Sequence, residues 1–259
     1  MKSIDPYLPV RMEPIETVNG IDTGLIRPEL QKDGVWTPIE KVAMSNGYKL
    51  LTNERVREIG DRFATRQGYR IIKEHFNGKQ FTLAYMSDKI KAESSAGVQR
   101  AGVLFNNSYD KSISFRMQFM AIVEVCTNGQ TTNRFFDYER IKHNQQLDKN
   151  IEQLDEQIDT FTNVNNNENV DKFHEFVQAI DPIYNMEVTK DSLRNLRKIL
   201  PPDRLTPNNF GKIMDTYLQR SDDSMWSLYN AGTDHYWHKR NDINMNRQWV
   251  DAFLTIAKA

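Results

Sequence analysis

Residues 106–129 read NNSYDKSISFRMQFMAIVEVCTNG, and the fold turns on how this stretch is read. Ile113, Phe115, Met117, Phe119, Ala121, Val123 and Val125 are apolar at every second position, with Ser112, Ser114, Arg116 and Gln118 in the first gaps. A period of two predicts a long strand with one buried face. The opposite face opens with two hydroxyls, a guanidinium and an amide, directly after a Tyr-Asp-Lys turn. Such a face suits either plain solvation or contact with a polyanion.

Upstream, LLTNERVREIGDRFATRQG (residues 50–68) has helical spacing. Val56, Ile59 and Phe63 share a face, Thr52 can cap the start and Gly68 can end it. Next, YRIIKEHFNGKQFTLAYMS places two β-rich runs around Asn77-Gly78, a strong hairpin signal. A short strand is expected at 103–105, turning through NNSYDKS into the long one. Residues 1–45 carry scattered Pro and Gly and read as an irregular leader. Residues 46–130 then form an α+β core, with an antiparallel sheet of two hairpins and flanking helices.

Residues 131–259 read as a mostly helical half packed on that core, within one structural domain overall. Leu147, Ile151, Leu154, Ile158 and Phe161 repeat at four and three, a narrow apolar seam suited to the sheet or to a neighbouring subunit. The polar run NVNNNEN (163–169) reads as a loop. Helices are expected around Phe173, Phe176, Val177 and Ile180; from Thr189 to the Pro201-Pro202 stop; from Thr206-Pro207 through Ile213, Tyr217 and Leu218; and in the final stretch from about Met225 to Ile256.

Function is narrowed mainly by exclusion. No apolar run approaches the ~20 residues of a membrane span, and MKSIDPYLPVRMEP lacks the apolar core of a secretion signal. A single cysteine, Cys126, rules out an internal disulfide framework and fits the cytoplasm; at the end of an apolar strand it reads as a buried thiol. His235 and His238 lie three apart beside Asp234, but zinc needs three or four ligands, so they read as structural and no metal or cofactor is expected. A nucleophile elbow, a phosphate loop and a dinucleotide motif are all missing, which disfavours an enzyme.

Charge gives a positive signal. The chain is nearly neutral, at −1, yet residues 55–116 carry 12 Lys and Arg against 6 Asp and Glu, while residues 131–259 carry 16 against 20. A local +6 suits a localised anionic partner. Single-stranded nucleic acid needs cations along the backbone and aromatic rings under the bases. The candidates are Arg55, Arg62, Arg66, Arg100, Lys111 and Arg116 for phosphates, and Tyr85 and Tyr109 for stacking. HYWHKR (235–240) also interleaves rings and charges, with Tyr236 and Trp237 expected partly in the core.

FNNSYDKSISFR followed by VEVCTNG resembles the central signature of the phage/plasmid-like proteins long catalogued as a domain of unknown function: an Asn-Ser-x-Asp turn before a strand, and a Cys-x-Asn segment after it. SLYNAGTDHYWHKRN is similar to that family's C-terminal helix, with its Leu-x-Asn-Ala pattern, and the similarity runs over roughly residues 45–250. Lys111 departs from the pattern, since many relatives have Gly at that point in the turn. The resemblance implies a phage or mobile-element origin, a cytoplasmic role in an infected host cell, and a task like that of phage single-stranded DNA-binding or Redβ-like strand-annealing proteins. The expected function is therefore non-enzymatic binding of single-stranded DNA in phage replication or recombination, with a second copy of the chain and phage or host replication and transcription proteins as candidate partners. The alternative is an oligomeric interaction or anti-host protein that uses the helical half.

Overall fold

A computed structural model describes residues 4–39, 42–125, 130–161, 168–200, 203, 205–220, 222–239 and 242–257. Cys126, residues 163–167 of the expected loop, Pro201, Pro202 and Arg240 lie outside the described residues, as do the side chains of Ile158, Phe161, Trp237 and His238. The fold is α+β, as expected, with two antiparallel sheets and helices around them.

The expected irregular leader is instead a small sheet. Strands β1 (Val10–Glu16), β2 (Asp22–Lys32) and β3 (Val35–Pro38) pair in order, and β4 (Met44–Ser45) adds to β2 beside β3. Two turns build it. Asp33 and Gly34 both take positive φ, at 52° and 79°, and close β2 onto β3 in the two-residue hairpin that Asp-Gly favours. Gly20 (φ 74°) serves the β1–β2 turn. Two prolines disguise these strands in the sequence. Pro14 sits on the edge strand β1, and Pro28 falls between the β2 residues that pair with β3 and those that pair with β4. Both are places where a missing N–H costs little.

Helix α1 (Asn53–Gln67) is bounded as expected: the Thr52 hydroxyl accepts from the Arg55 N–H at 3.2 Å, and Gly68 ends it in the left-handed region at φ 71°. The second sheet follows as a meander of β5 (Tyr69–Phe76), β6 (Gln80–Ser94), β7 (Gly97–Ser108), β8 (Phe115–Val125) and β9 (Gln130–Ile141), paired in that order. The Asn77 side chain accepts from the Lys79 and Gln80 N–H groups, at 3.0 and 2.8 Å, and fixes the β5–β6 turn. β7 is far longer than the short strand expected at 103–105, and β9 occupies chain expected to be helical.

In β8, Phe115, Met117 and Phe119 are fully buried, as the alternation requires, and Phe105, Phe63 and Phe115 form one ring cluster under α1. The other face is covered as well. Thr82 donates to Asn106, and Asn106 donates to Gln118, each at 3.2 Å, so a ladder of buried polar side chains crosses β6, β7 and β8. This corrects the expectation of an open polar face: Gln118 is 4% exposed and Arg116 is half-buried. A strand buried on both sides carries such polar groups only when they satisfy one another.

The helices after the meander are α2 (Leu147–Phe161), α3 (Glu168–Gln178), α4 (Ile180–Asn185), α5 (Lys190–Ile199), α6 (Pro207–Leu218), α7 (Met225–Thr233) and α8 (Ile243–Ala257), with a π-helical segment Asp234–Lys239 between the last two. Thr189 and Ser192 form a reciprocal capping box at α5, and Thr206 caps α6 ahead of Pro207.

Contacts divide the chain into two compact units that do not follow the expected boundaries. The first comprises Met1–Ser87, Gly102–Phe119 and Asp137–Asn167; the second, Asp88–Ala101, Met120–Phe136 and Glu168–Ala259. In the first unit, α2 packs on α1 and buries Leu147, Ile151 and Leu154. In the second, α7 is buried along its whole length against α6 and α8. A Cβ on Gly232 would fall 2.0 Å from the Trp249 ring, so glycine is what lets α7 and α8 approach. Trp249 donates its indole N–H to the Tyr229 carbonyl at 3.0 Å, which locks the pair.

Candidate nucleic-acid interface

The two expected stacking platforms are inside the protein. Tyr85 is fully buried, and its hydroxyl donates to Asp61 at 2.8 Å, while Asp61 also accepts from Arg57 Nε at 2.7 Å. Arg57 binds Glu74 as well, and Tyr7 donates to that carboxylate at 2.8 Å, so the network ties α1 to β5 and β6. Gly60 admits the Tyr85 ring, since a Cβ there would lie 2.6 Å from its hydroxyl. Tyr109 is 1% exposed, packs edge-on against Phe76, and accepts the Asn53 N–H at 2.8 Å, helping to seat the start of α1. Neither ring can reach a base. Burial, and then the hydrogen bond to Asp61, raise the Tyr85 hydroxyl well above the usual phenol range.

The cations divide. Arg55 is exposed but paired with Glu58 at 2.8 Å, and Arg66 is exposed in the last turn of α1. Arg62 and Arg116 are half-buried. Arg100 belongs to the second unit, where it donates to the Asp88 carbonyl at 3.3 Å beside that residue's carboxylate; the other seven candidates belong to the first. Arg11 and Arg27, in the small sheet, converge on the buried Glu29 at 2.8 and 3.2 Å.

Lys111 lies in a turn rather than on α1 or within a strand. It is exposed at the tip of the β7–β8 turn with φ 61°, the left-handed conformation that glycine adopts without strain, and its ammonium donates to the Ala43 carbonyl at 2.9 Å. The turn geometry that Gly would provide is therefore kept by a lysine. Around it the chain returns repeatedly. Asn107 donates to the Leu51 carbonyl at 2.8 Å, the Tyr109 N–H to Lys79 O at 2.8 Å, and Gln80 to the Ser112 hydroxyl at 2.7 Å. Arg140, at the end of β9, donates to the Ser114 hydroxyl at 2.9 Å, and the Lys49 N–H donates to His143 O at 3.3 Å, next to Lys142.

These links bring the chain at Lys49, Lys79, Lys111, Arg140 and Lys142, whose side chains are all exposed, to one turn. Asp110, the carboxylate within the turn, accepts the Ser112 N–H at 3.0 Å. Among these cations lies an aromatic pair that sequence reasoning missed: Tyr48 and His143 stack with centroids 5.1 Å apart and planes 27° from parallel, both half-buried. The Tyr48 hydroxyl meets His143 Nδ1 at 2.7 Å and the Ser108 carbonyl at 3.4 Å. Burial lowers His143 to a pKa of about 4, so the ring is neutral at physiological pH and offers a π-face without a charge. The missed signal was sequence-distant: Lys49 precedes the basic window, and Arg140 and Lys142 follow it in chain taken for an acidic helical half.

The first unit is thus an antiparallel-sheet scaffold that presents a turn rimmed by cations beside a half-buried ring pair. The chain belongs to the DUF932 family, described as a domain of unknown function, which matches residues 42–252. No curated protein and no solved structure matches the chain significantly. Among the described residues, no cluster of His, Cys, Asp and Glu could hold a metal ion, and no helix is long and apolar enough to cross a membrane.

Proposed function

We propose that the protein binds single-stranded DNA without catalysing a reaction on it, as a phage protein of DNA replication or recombination acting in the host cytoplasm. The observation that carries this reading is the stacked Tyr48–His143 pair set among Lys49, Lys79, Lys111, Arg140 and Lys142. Phosphates would meet the cations, and a splayed base would extend the ring stack. The buried Tyr85 and Tyr109 leave the site, and the α1 arginines become peripheral. Double-stranded DNA keeps its bases stacked on one another and cannot use the ring pair, so single strands bind more tightly.

Fluorescence anisotropy with a labelled oligonucleotide, single-stranded and duplex, tests this across a salt series. Log affinity for the single strand falls linearly with log salt, at ~0.7 per phosphate contacted. Replacing Lys111 and Lys142 together by Ala makes that slope shallower by about 1.4. Tyr48→Ala weakens binding by ~1–3 kcal/mol, the scale of one stacked base. Absence of any retention at low salt and micromolar protein would refute the reading.

A further inference from the structure

The β1–β2 hairpin carries a surface that nucleic-acid binding does not use. Residues 16–25, which include its tip, are all exposed, and Val18, Ile21 and Leu25 are 105%, 63% and 40% exposed. Its charged residues are Glu16 and Asp22, both acidic, which argues against DNA as its target. A register shift between Ile15 and Glu16 twists the tip, and such a bulge discourages open-ended strand pairing along this edge.

The same unit has a cleft of ≈ 280 Å³ with a mainly apolar wall that includes Ile4, Leu8, Leu30 and Ile39, and with Lys32 and Lys79 among its residues. It lies where the N-terminal segment meets the β5–β6 turn, and the Ile4 N–H donates to the Phe76 carbonyl there at 2.9 Å. We propose that the hairpin tip of one copy inserts Val18 and Ile21 into this cleft on a second copy. The occupant follows from complementarity. An apolar tip with two carboxylates fits an apolar cleft with two ammonium groups, and both surfaces are carried by one chain.

The tip cannot fill its own cleft. Along β2, eight residues separate Asp22 at the tip from Leu30 at the cleft, roughly 27 Å of extended strand. Tip and cleft are different patches, so copies either join head to tail or exchange tips in a two-fold pair. One hairpin tip in one cleft is a small interface, so the association is weak and depends on concentration. Leu147, Ile151 and Leu154 of the α2 seam, expected to meet the sheet or a neighbouring subunit, are buried within the first unit and take no part. Lys79 belongs both to this cleft and to the cation rim around Lys111, so association is measured without DNA.

Sedimentation velocity of the full chain, without DNA and from low to high micromolar concentration, tests it. The wild-type average mass rises with concentration, and added salt weakens the association a few-fold by screening the rim. Val18→Asp with Ile21→Asp, and separately Lys32→Glu with Thr37→Glu, each lower the association constant at least tenfold; the substituted side chains are on the surface, so melting curves stay close to wild type. Mixing the two variants yields a one-to-one dimer and nothing larger, because a single intact tip meets a single intact cleft. A wild-type protein that remains monomeric throughout would overturn the proposal. So would variants that associate like wild type, or a mixture that fails to pair.

Discussion

Lys111 is where stability and binding pull in opposite directions. A side chain in the left-handed region costs roughly 1–2 kcal/mol relative to glycine, and the bond from its ammonium to Ala43 recovers only part of this at an exposed site. Lys111→Gly is expected to raise stability by about 1 kcal/mol, seen as a melting temperature a few degrees higher, while weakening DNA binding and flattening its salt slope. A drop in stability would show that the Ala43 bond dominates. His143 sets an acid limit. Its pKa falls from the usual 6.5 to about 4 through burial, so the stability tied to its neutral form is complete above about pH 6.5 and is lost as pH falls toward 4. Denaturant titrations at pH 7 and pH 5 are expected to differ by roughly 1–2 kcal/mol at this group, and His143→Phe should shrink that difference. Lys73, half-buried on the edge strand β5, is lowered to about 7 by desolvation. Its burial penalty grows as pH falls from about 10.5 toward 7, so Lys73→Met is expected to stabilise the protein at pH 7 by roughly 1–3 kcal/mol and much less at pH 10.

Helix α2 shows at the element scale why an apolar seam need not be an interface. Leu154 is 3% exposed inside the first unit, against α1. Leu154→Asp is expected to cost about 3–5 kcal/mol, the scale of an unpaired buried charge, which a chemical denaturation curve reads directly. In the second unit, Gly232→Ala is expected to cost several kcal/mol by driving a methyl into the Trp249 ring. Elements were legible in the sequence wherever local chemistry fixes both ends. Thr52 and Gly68 bound α1, Asn77-Gly78 closes a hairpin, and Thr189 and Thr206 start helices. Asp33-Gly34 and Asn19-Gly20 carry the same kind of local signal, yet Pro14 and Pro28 interrupt the flanking pattern and hide the small sheet. The side-chain directions of Tyr85 and Tyr109 were not legible. Thr82, Ala84 and Met86 are as buried as Phe81, Leu83 and Tyr85, so alternation alone could not tell an inward ring from an outward one. The candidate interface was half legible: its turn could be read, but its rim is assembled from Lys49, Arg140 and Lys142, which only pairing of distant chain brings together.

The whole molecule is built from two units that each take three separate pieces of the chain, with crossings inside β6, β7, β8 and β9. Its stability therefore rests on contacts between residues far apart in sequence, which slows folding. The helical segment 168–259 expressed alone lacks the strand pieces 88–101 and 120–136 of its own unit, and is expected to show helical circular dichroism without a cooperative melt; a sharp thermal transition would contradict this. During synthesis the consequence falls on timing. All pieces of the first unit exist once residue 167 has left the ribosome, but the strand pieces of the second must wait for a further 92 residues. At 5–20 residues per second that is roughly 5–20 seconds in which nascent β-strand ends stand without their helical cover. That interval is when a chaperone holding the nascent chain would do most to raise its yield, and when slowing translation would do most to lower it.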